Sequence, residues 1–272
     1  MNLYRKLSTR PYIFSQITGV SLQEFASIIK KLRPIWRKRH LKNKKVAGRP
    51  YGIESLENQL LCLLLYYRTY ATQLFIGFWF RVDEATVSRT RRRLEPILAK
   101  VVEIKRKPKI NQGQLDTLLL DATEQTTTGS KKEYFSGKKK RYTIKTEIVT
   151  TKEGKIIQVS DSFPGSVHDI TVRRKSEKLP YCLDIYADGA YRGLEKEYPN
   201  ILLPIRKKRA IPLSEEEKRH NKYLELVRNN IERKFREMKV FQILYQTYRN
   251  AKHSYAIKMA IVAGIVNFKN GF

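Results

Sequence analysis

LDTLLLDATE, residues 115–124, is the stretch on which the reading of the whole chain turns. Leu118, Leu119 and Leu120 form a short apolar run, Thr123, Glu124 and Gln125 a polar one, and Asp121 stands at the change. A brief apolar run bounded by polar residues predicts a buried central strand rather than a turn of helix. The strand is expected to end at Asp121, delivering a carboxylate from the core to the lip of a sheet. An unpaired charge is costly there. On this strand alone Asp121 has two readings, a turn or N-cap residue and a functional acid held by a partner or a metal.

Downstream, the basic loop TTTGSKKEYFSGKKKR (126–141) leads into two alternating segments, YTIKTEIVTT (142–151) and KIIQVSDSF (155–163). With a Glu-Gly turn at 153–154 they predict a hairpin against the first strand. The Phe-Pro-Gly turn at 163–165 leads through Ser166 and His168 to Asp169, which opens a short helix. LDIYAD (183–188) is a fourth strand ending at Asp188, and ILLPIR (201–206) a fifth. A long helix begins near Ser214 and a last one covers 254–268. Three antiparallel strands, a helix, two strands and long helices match a ribonuclease-H-like core. The expected class is α/β, a mixed sheet flanked by helices.

Upstream the period is helical. Ser21 and Glu24 have capping-box spacing, and Phe25, Ile28, Ile29, Leu32 and Trp36 recur at helical intervals, so 21–37 is the first predicted helix, bent near Pro34. RKRHLKNKKVAGRPYG (37–52) reads as a basic linker or arm suited to a phosphate backbone or a minor groove. Residues 53–100 predict three helices. Ser55 opens the first, ATQLFIGFWF holds the second, and Asp83 caps the third after a tight break at 81–83. A third helix bearing Thr86, Ser88, Arg89, Arg91, Arg92 and Arg93 has the shape of a helix-turn-helix reader, with hydroxyls early and arginines for guanine edges or phosphates. A plain three-helix bundle is the alternative. KRKPKINQGQ (105–114) is a basic hinge. The expected division is an N-terminal helix and arm (1–52), an all-α helix-turn-helix domain (53–110) and the ribonuclease-H-like domain (111–272).

Composition narrows the partners. The 272 residues hold 55 Lys and Arg against 26 Asp and Glu, a net charge of +29, and residues 1–110 alone carry 24 basic against 7 acidic. A surface this cationic attracts polyanions through counterion release, and interleaved Tyr4, Tyr12, Trp36, Tyr51, Tyr134 and Tyr142 are compatible with nucleic acid. Cys62 and Cys182 are isolated, which supports neither a disulfide framework nor a structural zinc. The longest apolar stretch, Leu60–Tyr67, is too short to span a bilayer. A soluble intracellular protein is expected.

Three acids then stand out. Asp121 and Asp188 both terminate apolar strands that are neighbours in such a sheet. Glu232 lies in NNIERKF on the long helix, where Arg228, Glu232, Phe235 and Lys239 share one face. Three converging carboxylates repel one another unless a dication lies between them. Ligation by oxygen alone favours Mg²⁺ or Mn²⁺, and two such ions about 3.5–4 Å apart can drive an in-line phosphodiester displacement.

LLLDATE with Asp121, FPGSVHD (163–169), YADGAYRG with Asp188 and RNNIERKFREMK (228–239) follow in order, and together they resemble the DDE transposases of bacterial insertion sequences, in the broad group containing Harbinger-like elements. The last motif reproduces that group's R-x3-E-x6-K spacing with Arg228, Glu232 and Lys239. Members usually carry Tyr three positions before the arginine. Here position 225 is Glu, and Tyr223 lies nearby. The resemblance implies a metal triad of Asp121, Asp188 and Glu232, with Arg228 and Lys239 on DNA. For Lys239 the structural alternative is a solvated helix residue, and for Arg228 a salt bridge to Glu225 or Glu232. Lys138, Lys139, Lys140 and Arg141 join the helix-turn-helix residues as expected DNA contacts. Asp169 is read as a helix N-cap; His168 either approaches the site or stabilises the turn. Glu124, Asp161 and Asp184 lie off the triad pattern, and His40, His220 and His253 carry no role.

The expected function is binding to the element's terminal inverted repeats, metal-dependent strand cleavage, and attack of the freed 3′-hydroxyl on target DNA. The working complex is a homodimer or higher on double-stranded DNA, in the bacterial cytoplasm with the nucleoid. Two rivals stand beside it, a catalytically silent DNA-binding regulator and a nuclease without strand transfer.

Overall fold

A computed structural model describes residues 2–43, 51–102, 104, 116–129, 131–207 and 211–272. They fall into two units. The first joins Met1–Glu103, Lys239–Gln246 and Ile257–Phe272; the second joins Ile104–Met238 and Thr247–Ala256. The hinge expected at 105–114, the boundary at 110/111 and residues 44–50 of the arm lie outside the described residues.

The first unit opens with two short helices that the periodicity did not reveal, α1 (Leu3–Ser8) and α2 (Pro11–Thr18). Both have local signals. Asn2 accepts from the Arg5 amide, Pro11 sits at the first turn of α2, and Gly19 closes it in the left-handed region. Three rings hold them to the next helix. Tyr4 stacks on Phe25, and Phe14 meets Phe25 edge to face, both with centroids 5.1 Å apart. Full burial of Phe14 and Phe25 contributes roughly 2–3 kcal/mol each.

The predicted capping box forms, Ser21 Oγ accepting from the Glu24 amide and Glu24 from the Ser21 amide. The helix it opens, α3 (Leu22–Asn43), runs past the expected end and takes in the start of the basic arm, with Pro34 inside it. Next come α4 (Leu56–Thr69), α5 (Gln73–Phe80) and α6 (Glu84–Val101). Ser55, Thr72 and Asp83 cap them through side-chain oxygens. Between α5 and α6 the chain turns through Arg81, at φ 53°. A Cβ on Gly77 would stand 2.5 Å from the Val82 carbonyl oxygen, so the turn can close only over glycine.

In the second unit β1 (Thr117–Thr126) is the centre of the sheet. It does not end at Asp121. Antiparallel pairing with β3 (Arg141–Thr151) carries it five residues further, with Thr123 and Gln125 buried in the pairing. β2 (Phe135–Ser136), β4 (Ile156–Val159) and β5 (Phe163–Pro164) all pair with β3. On the other side β6 (Asp184–Tyr186) runs parallel to β1, and β7 (Ile201–Leu202) parallel to β6. The path β2-β3-β1-β6-β7, with β4 and β5 also against β3, is the mixed order expected. On one face Leu118, Leu120, Val149, Ile185 and Ala187 pack with Tyr191 and Leu194, and Ile170 of α7 (Asp169–Lys175) covers them. α8 (Glu215–Lys239) lies on the other, where Tyr223 meets Tyr186 edge to face. Ser214 and Glu217 close a second capping box at its start.

The last helix, α9 (Tyr255–Lys269), corrects the linear division. Most of it belongs to the first unit, because Ile261, Val262, Ile265 and Val266 are buried there and Lys258 Nζ pairs with Glu95 at 3.2 Å. Cys62 and Cys182 are free and buried. No described helix is long and apolar enough to cross a membrane.

Replacing Gly77 with Ala should lower stability by about 1–3 kcal/mol, the usual cost of forcing an atom into a closed contact. Thermal unfolding of the variant beside wild type measures it; an unchanged midpoint would mean that the turn does not need glycine.

Candidate active site and nucleic-acid interface

Register places the first two acids. Thr117, Leu118 and Leu119 pair in parallel with Asp184, Ile185 and Tyr186. Two further residues along each chain lie Asp121 and Asp188. Side chains alternate along a strand, so both carboxylates share the face of Leu119 and Tyr186, where α8 lies. The Ala122 amide donates to Asp121 Oδ1, and the Ala190 amide to Asp188 Oδ1, both at 2.8 Å. Asp188 thereby caps the short turn after β6.

α8 brings Arg228 to the pair, its Nη2 3.7 Å from Asp121 Oδ2. Of the partners considered for it from sequence, neither Glu225 nor Glu232 takes that place. Asp121 is mostly buried, and this is what chiefly raises its carboxyl from 3.8 to about 6. Arg228 opposes the rise, while Asp188 and Asp169 add to it. Glu232, one turn beyond Arg228, is half-exposed with its carboxylate 3.9 Å from Arg236. Lys239 is the last residue of α8. Among the described residues no group of three or more His, Cys, Asp and Glu side chains is arranged to hold an ion. The structure therefore pairs two of the predicted acids and leaves the third turned outward.

FPGSVHD is bolted to β3. Phe163 and Pro164 pair with Lys145 and Ile144, and a Cβ on Gly165 would fall 1.8 Å from Thr143 Oγ1. Lys145 Nζ, buried, donates to the Val167 carbonyl at 2.7 Å and forms ion pairs with Asp169 at 2.7 Å and Glu124 at 3.4 Å. Asp169 is not the N-cap expected. That position belongs to His168, whose imidazole is exposed and makes no cap bond, and Asp169 is the first helical residue, turned to Lys145. Behind them Arg173 Nη1 meets Glu147 at 2.7 Å, both side chains fully buried. Burial raises the Glu147 carboxyl, against Arg173 and Tyr191. Lys145, Glu147 and Arg173 escaped the sequence reading. Their one signal was two charges at inward positions of YTIKTEIVTT.

The arginine triplet of α6 divides, because successive helical residues point about 100° apart. Arg92 is exposed. Arg91 is buried, 3.1 Å from Glu95 and over the ring of Tyr66; Arg93 lies 3.8 Å above Tyr51. The expectation that all three face DNA is corrected for Arg91, whose charge is spent inside the unit. Near the start of α6, Arg89 is exposed and its Nη2 donates to Thr86 Oγ1 at 2.9 Å, while Thr86 Oγ1 donates to Asp83. Ser88 is partly exposed. In the second unit Lys138, Lys139 and Lys140 form an exposed basic turn that runs into Arg141, the exposed first residue of β3.

The donor set fits a divalent cation. Asp121 and Asp188 offer oxygen alone, and a positive charge between them would relieve the burial and repulsion that now raise the Asp121 carboxyl.

Comparison with known proteins places the chain in a family. Residues 115–267 match the model of the DDE superfamily endonuclease family, and residues 53–103 match that of the helix-turn-helix of DDE superfamily endonucleases. The chain is 29% identical, over 94% of both lengths, to a probable transposase for insertion sequence element IS702 of Microchaete diplosiphon. No solved structure matches it.

A carboxyl raised by folding adds stability in its protonated form. For Asp121 that contribution is full below pH 3.8 and is lost as pH rises through about 6, leaving an ionised cost on the order of 3 kcal/mol. Asp121→Asn should therefore stabilise the metal-free protein at pH 7.5 but not at pH 4. Urea unfolding of both proteins at the two pH values checks it, and a difference that does not change with pH would contradict it.

Proposed function

This chain belongs to the DDE superfamily endonucleases, and from that premise we propose that it is a transposase. It binds the terminal inverted repeats of its element, cleaves a strand at each end, and joins the freed 3′-hydroxyl to target DNA. The observation that carries the reading is the placement of Asp121 beside Asp188 under Arg228. In the proposal these two carboxylates hold two Mg²⁺ or Mn²⁺ ions, with Glu232 completing the set. Bound there, the ions supply Lewis-acid polarisation of the scissile phosphodiester and lower the pKa of an attacking water or hydroxyl.

The remaining work falls to the chain's own side chains. Glu232, whose carboxylate lies 3.9 Å from Arg236, would be the third oxygen donor of that set. Arg228, 3.7 Å from Asp121, would contact the DNA backbone, as would Lys239. Thr86, Ser88, Arg89 and Arg92 enter the groove from α6, and the basic turn 138–141 follows the phosphates. Two ends must be held together, so the working complex contains at least two copies. The outward Glu232 is the one observation that favours a silent DNA-binding regulator, and cleavage decides between them.

Asp121→Asn, Asp188→Asn and Glu232→Gln should each reduce Mg²⁺-dependent nicking of the element's ends by at least about a thousandfold, with end binding retained. Nicking that survives in Glu232→Gln would remove that residue from the site, and nicking without joined products would favour a nuclease. Arg89→Ala with Arg92→Ala should weaken end binding and reduce its logarithmic salt slope by about 2. An unchanged slope would take α6 off the DNA.

A further inference from the structure

Helix α5 reads QLFIGFWF, without one charged side chain, in a chain that is 30% charged and carries +29. Only Ile76 and Gly77 are buried. Leu74, Phe75, Phe78 and Trp79 are exposed by 68%, 55%, 80% and 52%. They are two i, i+4 pairs and so form one stripe along the helix. Phe75 and Trp79 lie edge to face, centroids 6.3 Å apart. Large apolar patches of this kind mark sites of association.

Charge and area identify what covers it. α5 has no cation to offer a phosphate, so duplex DNA, which is held through charge, is a poor occupant. Two copies of a strongly cationic chain repel each other, and they approach at least cost through a face that bears no charge. With side chains of 150–250 Å² half to four-fifths exposed, the stripe offers about 400–500 Å² per copy. A two-fold contact would bury about 800–1,000 Å², the size of a weak, reversible protein interface.

We propose that the α5 face is a two-fold interface between copies of this chain, formed without DNA. Phe78 and Trp79 are its anchors, as buried aromatic residues are in other interfaces. The contact is isologous, so every substitution counts twice. Its dependence on salt is opposite to that of DNA binding. Screening of the cationic bodies strengthens self-association as salt rises, whereas phosphate contacts weaken. The proposal does not rest on the transposase reading, and its test contains no DNA.

Sedimentation of the full-length chain at roughly 0.1 M and 0.5 M salt should show a monomer–dimer equilibrium that tightens at the higher salt. Phe78→Glu should weaken it at least about thirtyfold, and Leu74→Glu likewise, with the circular dichroism of wild type. Tyr181→Glu, at an exposed position of the second unit, should leave it unchanged. Phe78→Cys should form a disulfide-linked dimer on mild oxidation. A wild-type chain that stays monomeric up to about 100 μM at both salts overturns the proposal, as does a Phe78→Glu dimer as tight as wild type. Quenching of Trp79 fluorescence by an oligothymidylate in a Trp36→Phe background, without dimer, would assign the face to unpaired bases instead.

Discussion

The parallel ladder between β1 and β6 sets the geometry on which the rest of the second unit depends. It is only three residue pairs long, yet it carries two carboxylates to adjoining positions on one face. Nothing about that juxtaposition favours the folded protein by itself. Burial and like charge both raise the Asp121 carboxyl, and Arg228 on α8 offsets them only in part. The ladder is affordable because the apolar residues that precede the acids, Leu118, Leu120, Ile185 and Ala187, form the core of the opposite face. A stable sheet thus holds an electrostatically unfavourable pair where a cation can satisfy it.

That opposite face is ionised too, but in balance. Lys145 sits between Glu124 and Asp169, and Arg173 meets Glu147. These buried pairs are costly to desolvate and add little net stability, but removing one partner would strand the other. Their geometric effect is clear. Lys145 ties the start of α7 and the Val167 carbonyl to the central strands, so the FPGSVHD loop cannot shift without breaking several charge-assisted bonds together.

What the sequence reveals well is what depends on neighbours in the chain. The capping boxes at Ser21 and Ser214 and the caps at Ser55 and Asp83 involve partners three residues away, and all are legible. The order of strands follows from their lengths and turns. Asp121 and Asp188 were found because an acid after an apolar run is conspicuous. What escaped depends on distant partners. The extension of β1 comes from β3, which pairs with residues that look like a polar loop. Arg91 resembled its neighbours until Glu95, Tyr66 and Lys258 enclosed it. Asp169 sat where a cap was expected, and only Lys145 on another strand gave it a different task. Glu232 lay on the expected helix, but a motif does not specify a rotamer.

The position of α9 has a consequence for biosynthesis. The first unit needs Lys258 to complete the Glu95–Arg91 cluster, and it needs the isoleucines and valines of residues 261–266 to close its interior. Those residues are translated only after the strands of the second unit. A ribosome that has finished α6 has therefore not finished the helical unit, which waits with an open seam while the intervening β-sheet emerges. Completion of the unit that holds α6 is in this way made contingent on translation through α9, and chains halted before that helix are left without the support that α6 packs against.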